Sequence, residues 1–304
     1  MRVLVVGATG AIGTRLVPQL VDRGHEVIGT SRSPDRAERL HMLGAEPIVL
    51  DLLDPPAVRR AVLDTKPDAI IHQATALADL SDFKHFDRSF AQTNRLRAEG
   101  TDLLLAAARE AGVPRFIGQS YANHRYARQG GPVKTEEDPL DPTPVPAMRQ
   151  TEATMTHLDE AVTAAGGIAL RYGNFYGDPD DGLVQAVRAR KFPIVGDGGG
   201  VWSFIHLDDA AAATVLALER DGPAIFNIVD DEPAPPVCGC WSWPECWGPS
   251  NPSASPAQWP RSSQEPPVVM ATESRGASNA KAKRELGWTL RFPSWRQGFA
   301  DAYG

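Results

Sequence analysis

Gly7, Gly10 and Gly13 stand three residues apart directly after the apolar residues 3–6, and Ile12, Leu16, Leu20 and Val21 then recur at helical spacing. The chemistry this pattern offers is anion binding by backbone amides. A β-branched apolar run suits a parallel strand buried on both faces. Gly7 permits the tight turn out of it, Gly10 lets a phosphate approach the main chain, and Gly13 lets the new helix pack on the strand. Unpaired N–H groups of the helix's first turn face the loop and favour negative charge. Gly7, Thr9, Gly10, Ala11, Ile12 and Gly13 therefore read as the cradle for a dinucleotide pyrophosphate. Their G-x-x-G-x-x-G spacing departs from the commoner G-x-G-x-x-G, but the strand before and the helix after supply the context that motif needs.

The position after the second apolar run, 26–31, selects between dinucleotides, because a carboxylate there binds the ribose 2′-hydroxyl and repels a 2′-phosphate. The chain offers Ser31 and Arg32 instead. A guanidinium beside hydroxyls suits a phosphate, so NADP(H) is favoured over NAD(H). Gln73, Ala74, Thr75 and Ala76, small residues apart from the first, follow a fourth run at 68–72 and suit a backbone passing close to the cofactor.

These residues require a frame of strands alternating with helices. Strands are expected at 3–6, 26–31, 47–50, 68–72, 113–118 and 168–172. Helices are expected after Ser33 as N-cap with Pro34 at the first turn, from about Pro55, across 86–111 ending at Gly112, and from about Ala147 to Gly166. The third strand runs into Asp51 and Leu52, and the segment 130–146, rich in proline, glycine and charge, reads as a surface loop. The alternation predicts an α/β fold with a doubly wound parallel Rossmann sheet. Residues 1–172 form its core. Residues 173–304 form mainly a smaller C-terminal substrate lobe, with some segments returning to the sheet.

The 304 residues suffice for a sizeable core, and a net charge of −7 disfavours nucleic acid or an anionic membrane as partner. Met1 lies next to the first strand and no apolar run is long enough to cross a bilayer, so a cytoplasmic protein acting on a small molecule is expected.

The order of motifs resembles the extended short-chain dehydrogenase/reductases, the group that includes the NAD-dependent epimerases and dehydratases. The matching pieces are G-A-T-G-A-I-G at 7–13, R-F-I-G-Q-S-Y at 115–121, L-R-Y-G-N-F-Y-G at 170–177, P-I-V-G-D-G at 193–198, F-I-H-L-D-D at 204–209, F-N-I-V-D-D-E-P at 226–233 and K-R-E-L-G-W at 283–288. The resemblance implies that Asp51, with Leu52, contacts the adenine, that Tyr172 lies at the cofactor, and that the protein forms a homodimer through two long helices.

It also implies a serine or threonine after the fifth strand and a Tyr-x-x-x-Lys pair on the next helix. In such a pair the lysine stabilises a phenolate whose free pKa is about 10. Here that helix reads A-M-R-Q-T-E-A, which places Met148 and Glu152 at those positions. Tyr121 falls where the serine is expected, with Ser120 beside it, and the Tyr121 to Arg125 spacing falls in a loop. Ser120, Tyr121 and Asn174 are the catalytic candidates. Tyr176 and His206 are further polar neighbours, His206 reading as a loop brace.

Three functions fit: an NADP(H)-dependent oxidoreductase of the epimerase/dehydratase type acting on a small hydroxy or carbonyl metabolite, a non-redox cyclase, isomerase or lyase on the same fold, or a non-catalytic NADP(H)-binding regulatory module.

Residues 237–267 lack any helical or strand period and hold Cys238, Cys240 and Cys246 with four of the seven tryptophans. With no histidine or fourth cysteine at a metal-binding spacing, no metal site is expected. Back-translated with GC-rich codons and shifted by two bases, the cysteine-rich part encodes a leucine-rich helix, so the segment reads as a compensated frameshift in the gene or in its recorded sequence.

Overall fold

A computed structural model describes residues 1–77, 85–178, 199–235 and 265–303. Its centre is a seven-stranded parallel sheet in the order β10-β7-β5-β4-β1-β2-β3. The strands are β1 (Arg2–Val6), β2 (Glu26–Ser31), β3 (Glu46–Val49), β4 (Ala69–His72), β5 (Arg115–Tyr121), β7 (Ile168–Tyr172) and β10 (Ala224–Ile228). The period-two alternation of β1 explains the two cores. Val3 and Val5 face one layer with Leu16, Leu20 and Phe226, whereas Leu4 and Val6 face the other with Leu104, Leu158 and Val162. Each such side chain taken from water contributes roughly 1.5–3 kcal/mol.

Helix α1 (Gly13–Asp22) runs back from the first strand, and α2 (Pro34–Met42) and α3 (Pro55–Thr65) follow as expected. Ser33 takes the N-cap position of α2, but its hydroxyl makes no capping bond, and its N–H donates to Ser31 Oγ at 3.2 Å. The Asp54 carboxylate caps α3 by accepting from Ala57 N–H at 3.1 Å.

The single helix expected across 86–111 is divided. After a short turn α4 (Phe86–Ser89), α5 (Ala91–Arg95) leads through a π-turn at Leu96–Gly100 into α6 (Thr101–Ala111). The buried His72 ring bonds the Leu96 carbonyl through Nε2 at 3.1 Å, so that carbonyl has a partner outside the helix. Such π-turns are frequent at functional sites.

Strand β5 extends three residues past its expected end, because Gln119, Ser120 and Tyr121 find ladder partners in Leu170, Arg171 and Tyr172. The next helix opens with a 3₁₀ turn, Pro146–Met148, before α7 (Arg149–Ala164). Residues 224–228 return from the C-terminal part to the sheet edge beside β7. Two short parallel ladders accompany the sheet: β6 (Val133–Lys134) with β11 (Gly276–Ala277), and β8 (Asn174–Tyr176) with β9 (Phe204–His206), the second beyond the ends of the sheet strands.

The motif at 193–198 and residues 237–264, with all three cysteines, lie outside the described residues. Pro266 and Pro267 open the helix Pro266–Thr272.

Candidate active site

The loop after β1 is shaped for a backbone approach. Gly7 has φ +88°, and a Cβ there would lie 2.8 Å from the Ala74 main chain. A Cβ on Gly13 would strike the Ala8 backbone. Gly10 differs: among the described residues a Cβ there would meet just the Gly7 carbonyl oxygen, closely at 3.3 Å, and the remaining space beside it is open. Thr30 Oγ1 accepts from Gly7 N–H at 3.2 Å, and Thr9 donates to Ser31 Oγ at 3.3 Å, fixing the turn against β2. Ile12 is buried in the core and Ala11 is exposed.

Arg32 is exposed beside this turn and makes no ion pair among the described residues. Asp51 is exposed and accepts from Leu53 N–H at 3.0 Å, while Leu52 is buried beneath it. Gln73, buried where β4 passes the Gly7 turn, donates to Tyr172 Oη at 3.1 Å and leaves Oε1 without a partner. Ala74 and Thr75 line the same passage, half-buried. Tyr172 is not brought to the cradle surface. It is fully buried, its hydroxyl lies between Gln73 and Thr214 Oγ1 (2.6 Å), and burial pushes its pKa up to about 12.

A second group of polar side chains gathers where β5 ends. Tyr121 donates to Asn174 Oδ1 at 2.6 Å. Burial raises the phenol to about 12, with Asn123 and the positive charge of Arg97 acting in the opposite direction. Asn123 ties this loop to β9's approach by bonding both the N–H and the carbonyl of Ser203. Ser120 is buried, and its hydroxyl accepts from Arg125 Nη1 at 3.0 Å.

Arg125 is the hub beneath. Fully buried, it also donates to Asp159 Oδ2 at 2.9 Å and Thr156 Oγ1 at 3.2 Å, and its Nε stands 3.5 Å from Glu152 Oε2. Arg171 from β7 completes the network with 2.8 Å and 2.9 Å contacts to Asp159. Burial acts to raise the Asp159 carboxyl, but the two guanidiniums outweigh it and hold the group below the usual carboxylate range.

No Tyr-x-x-x-Lys spacing occurs anywhere in the chain. At the start of α7, Met148 is buried against Phe86, Val145 and Val269. One turn on, Glu152 Oε1 lies 2.6 Å from His124 Nδ1. His124 has φ +53°, the left-handed region that is uncommon for a residue with a side chain and that clusters at functional sites. Its ring packs against Tyr121 at 5.1 Å and edge-on to Phe86 at 5.9 Å. His206 caps the helix Leu207–Glu219 by accepting from Asp208 N–H at 3.1 Å, and burial lowers its pKa. Tyr176 is buried against Phe299 and His206.

His124 and Arg97 join the candidates without having been expected. Neither lies in a recognisable motif, and the only sequence signal for His124 was its position three residues after Tyr121.

Comparison with known proteins identifies the family and the fold. The chain matches the NAD dependent epimerase/dehydratase family over residues 3–228. It is 40% identical over 307 residues to a 3-diazoavenalumate denitrifying reductase of a Streptomyces species, covering 98% of this chain and 99% of that protein. It is 31% identical over 252 residues to the 2-alkyl-3-oxoalkanoate reductase of Stenotrophomonas maltophilia, covering 77% and 72%. Among solved structures it shares its fold with the UDP-glucose 4-epimerase of Thermotoga maritima bound to UDP-glucose, with TM-score 0.75, 22% identity and coverage of 99% and 97%. The Thermus thermophilus UDP-glucose 4-epimerase in complex with NAD gives TM-score 0.72 at 24% identity, again with coverage of 99% and 97%.

Proposed function

The chain belongs to the NAD dependent epimerase/dehydratase family, and we propose that within it this enzyme is an NADPH-dependent reductase of a small, electrophilic aromatic acid. The residues present fit such a cofactor. Gly10 leaves open space at the head of α1, and the orphaned Gln73 Oε1 sits where β4 meets the Gly7 turn. In this reading Gly7, Thr9, Gly10, Ala11, Ile12 and Gly13 hold the pyrophosphate and Asp51 with Leu52 flanks the adenine. Ser31 and Arg32 take the 2′-phosphate, and Gln73, Ala74 and Thr75 border the path to the nicotinamide, with Tyr172 supporting Gln73 from below. When bound, NADPH supplies a hydride.

The observation that carries the reading is how the polar groups near that path are occupied. The Tyr121 proton is committed to Asn174, the Ser120 hydroxyl to Arg125, and the Glu152 carboxylate to His124 and Arg125. A site whose phenol is already engaged, and held protonated by burial, suits a substrate that accepts hydride without a proton. An aryl diazonium is such a substrate: hydride bonds to the ring carbon, the carbon–nitrogen bond breaks with its electron pair going to nitrogen, and neutral N₂ leaves. The name of the Streptomyces relative, a denitrifying reductase of a diazo acid, supports this reaction class.

Reduction of a hydroxy or carbonyl metabolite is the second reading, favoured by the Stenotrophomonas oxoalkanoate reductase and by the Tyr121 hydroxyl as a proton donor. The wider organisation follows the same proposal. Residues 1–172 bind the cofactor, the chain from 173 mainly shapes the substrate lobe while 224–228 rejoin the sheet, and the protein works in the cytoplasm as a homodimer. No described helix is long and apolar enough to cross a membrane.

The test is to incubate the protein with NADPH carrying deuterium at C4 and 3-diazo-4-hydroxycinnamate. The expected result is consumption of NADPH with deuterium in the aromatic ring of the product, and a Tyr121→Phe variant within about fivefold of wild type. Turnover confined to ketone substrates and lost by roughly a hundredfold or more in Tyr121→Phe would establish the carbonyl reading instead.

A further inference from the structure

Arg97 lies in the π-turn between α5 and α6, is 4% exposed, and makes no hydrogen bond or ion pair among the described residues. Its Nε is buried with no partner among the described residues. The other buried guanidiniums here have carboxylates: Arg125 and Arg171 share Asp159, and Glu152 adds to Arg125. Three guanidiniums thus face two carboxylates, and Arg97 is the one without direct contact. Burial, and then repulsion from Arg125, pull it down only to about 10, so it stays cationic at neutral pH. A buried, unpaired cation is costly unless an anion arrives to meet it.

We propose that Arg97 is the carboxylate-binding residue of the substrate site, and that the ligand it takes is the monoanion of a small aromatic or conjugated acid. The charge of Arg97 bears on the Tyr121 phenol, the group that borders the candidate active site. A neighbouring cluster guides the choice of the rest of the ligand. Phe86 and Phe90 stack at 4.3 Å, Phe86 meets the His124 ring edge-on, and Met148, Val145 and Val269 extend this apolar wall. The π-turn that carries Arg97 packs against α7, and the buried aromatic and apolar cluster lies at the start of the same helix, so a planar apolar body ending in a carboxylate suits both. A planar, forked guanidinium also binds carboxylate bidentately, which fixes the direction in which the body lies.

This inference deepens the reading of the chain as a reductase of a small acid and rests on it for the identity of the site, but its test needs no turnover. The probe is 4-hydroxycinnamate, with its methyl ester as the neutral control, titrated calorimetrically into the NADP⁺-loaded protein. The acid is expected to bind wild type, to bind Arg97→Met about tenfold or more weakly, and to bind Arg97→Lys with intermediate affinity. The ester is expected to bind wild type and Arg97→Met alike. The melting temperature of unliganded Arg97→Met is expected to equal or exceed that of wild type, because an unpaired buried charge has been removed; a structural role would lower it. The proposal is overturned if wild type does not bind the acid, if it binds acid and ester equally, or if Arg97→Met keeps its affinity or melts lower than wild type. NADPH oxidation assays report separately on the reductase reading, so either can fail while the other stands.

Discussion

Glu152 on the first turn of α7 and His124 in the loop after β5 meet at 2.6 Å, with both side chains nearly buried. The contact brings together two elements that the sheet alone leaves independent, and it holds His124 in a left-handed backbone conformation of the kind that costs of order 1–3 kcal/mol. Glu152 thus ties the start of α7 to His124, and its carboxylate faces Arg125 as well.

Installing a tyrosine and lysine by Met148→Tyr with Glu152→Lys is therefore expected to damage the protein. Lysine at 152 would stand beside Arg125 with no carboxylate to replace Glu152, and breaking a buried pair in this way costs about 3–5 kcal/mol. Urea denaturation should show that loss for the double variant and a smaller one for Glu152→Gln, which keeps the shape. Unchanged stability in the double variant would mean that the Glu152 contacts carry little energy.

The fold was legible because its signals are local. Val3 to Val6 alternate between two cores, and Gly7, Gly10 and Gly13 announce the turn within seven residues. The candidate site was only half legible. Tyr121, Ser120 and Asn174 could be placed from neighbouring motifs, but what each hydroxyl or amide is bonded to depends on residues 5 to 53 positions away. The π-turn that presents Arg97 follows a bond between His72 and the Leu96 carbonyl, a tertiary contact with no periodic trace. The partners of Tyr172 were illegible for the same reason: Gln73 and Thr214 stand 99 and 42 positions away, and only packing brings them to its hydroxyl.

Gly7 and Gly10, two of the three cradle glycines, should separate when replaced by alanine. Gly7→Ala forces a side chain into left-handed backbone 2.8 Å from Ala74 and should lower the melting temperature by several degrees or prevent folding. Gly10→Ala meets only one carbonyl oxygen at 3.3 Å, so the protein should fold while NADPH binding weakens by about tenfold or more. Circular dichroism melts with cofactor titrations distinguish the cases, and a Gly10→Ala protein that binds NADPH normally would remove Gly10 from the cradle.

Arg32 is exposed and unpaired among the described residues, so Arg32→Ala should leave stability within about 0.5 kcal/mol of wild type. Loss of a charge-assisted contact to the 2′-phosphate should weaken NADPH by roughly tenfold to a hundredfold and NADH hardly at all. Parallel fluorescence titrations with the two cofactors measure this, and equal weakening would count against the NADP(H) assignment.

Asp159 carries two buried guanidiniums, so Asp159→Asn should cost about 3–5 kcal/mol at neutral pH. Its folded pKa lies below the usual value, so the carboxylate's contribution is fully present above the unfolded pKa of about 3.9 and is lost as pH falls below it towards the folded value. The gap in urea stability between wild type and Asp159→Asn should accordingly narrow from pH 7 to pH 3.

Asp230 presents the opposite sign. It is 1% exposed, has one carboxylate oxygen without a partner, and is raised to about 8, first by burial and then by the charges of Glu232 and Asp231, against hydrogen bonds from the Glu232 and Trp295 backbones. Between the unfolded pKa of about 3.9 and the folded one, the native state holds a proton that the unfolded chain has released, so stability falls as pH rises across this window. Asp230→Asn keeps the shape and the acceptor for Glu232 N–H while removing the titration. The variant should match wild type near pH 4.5 and exceed it by a few kcal/mol at pH 8.5. Melting curves at the two pH values decide the matter: an identical pH slope in both proteins would show that Asp230 ionises at no cost in the fold.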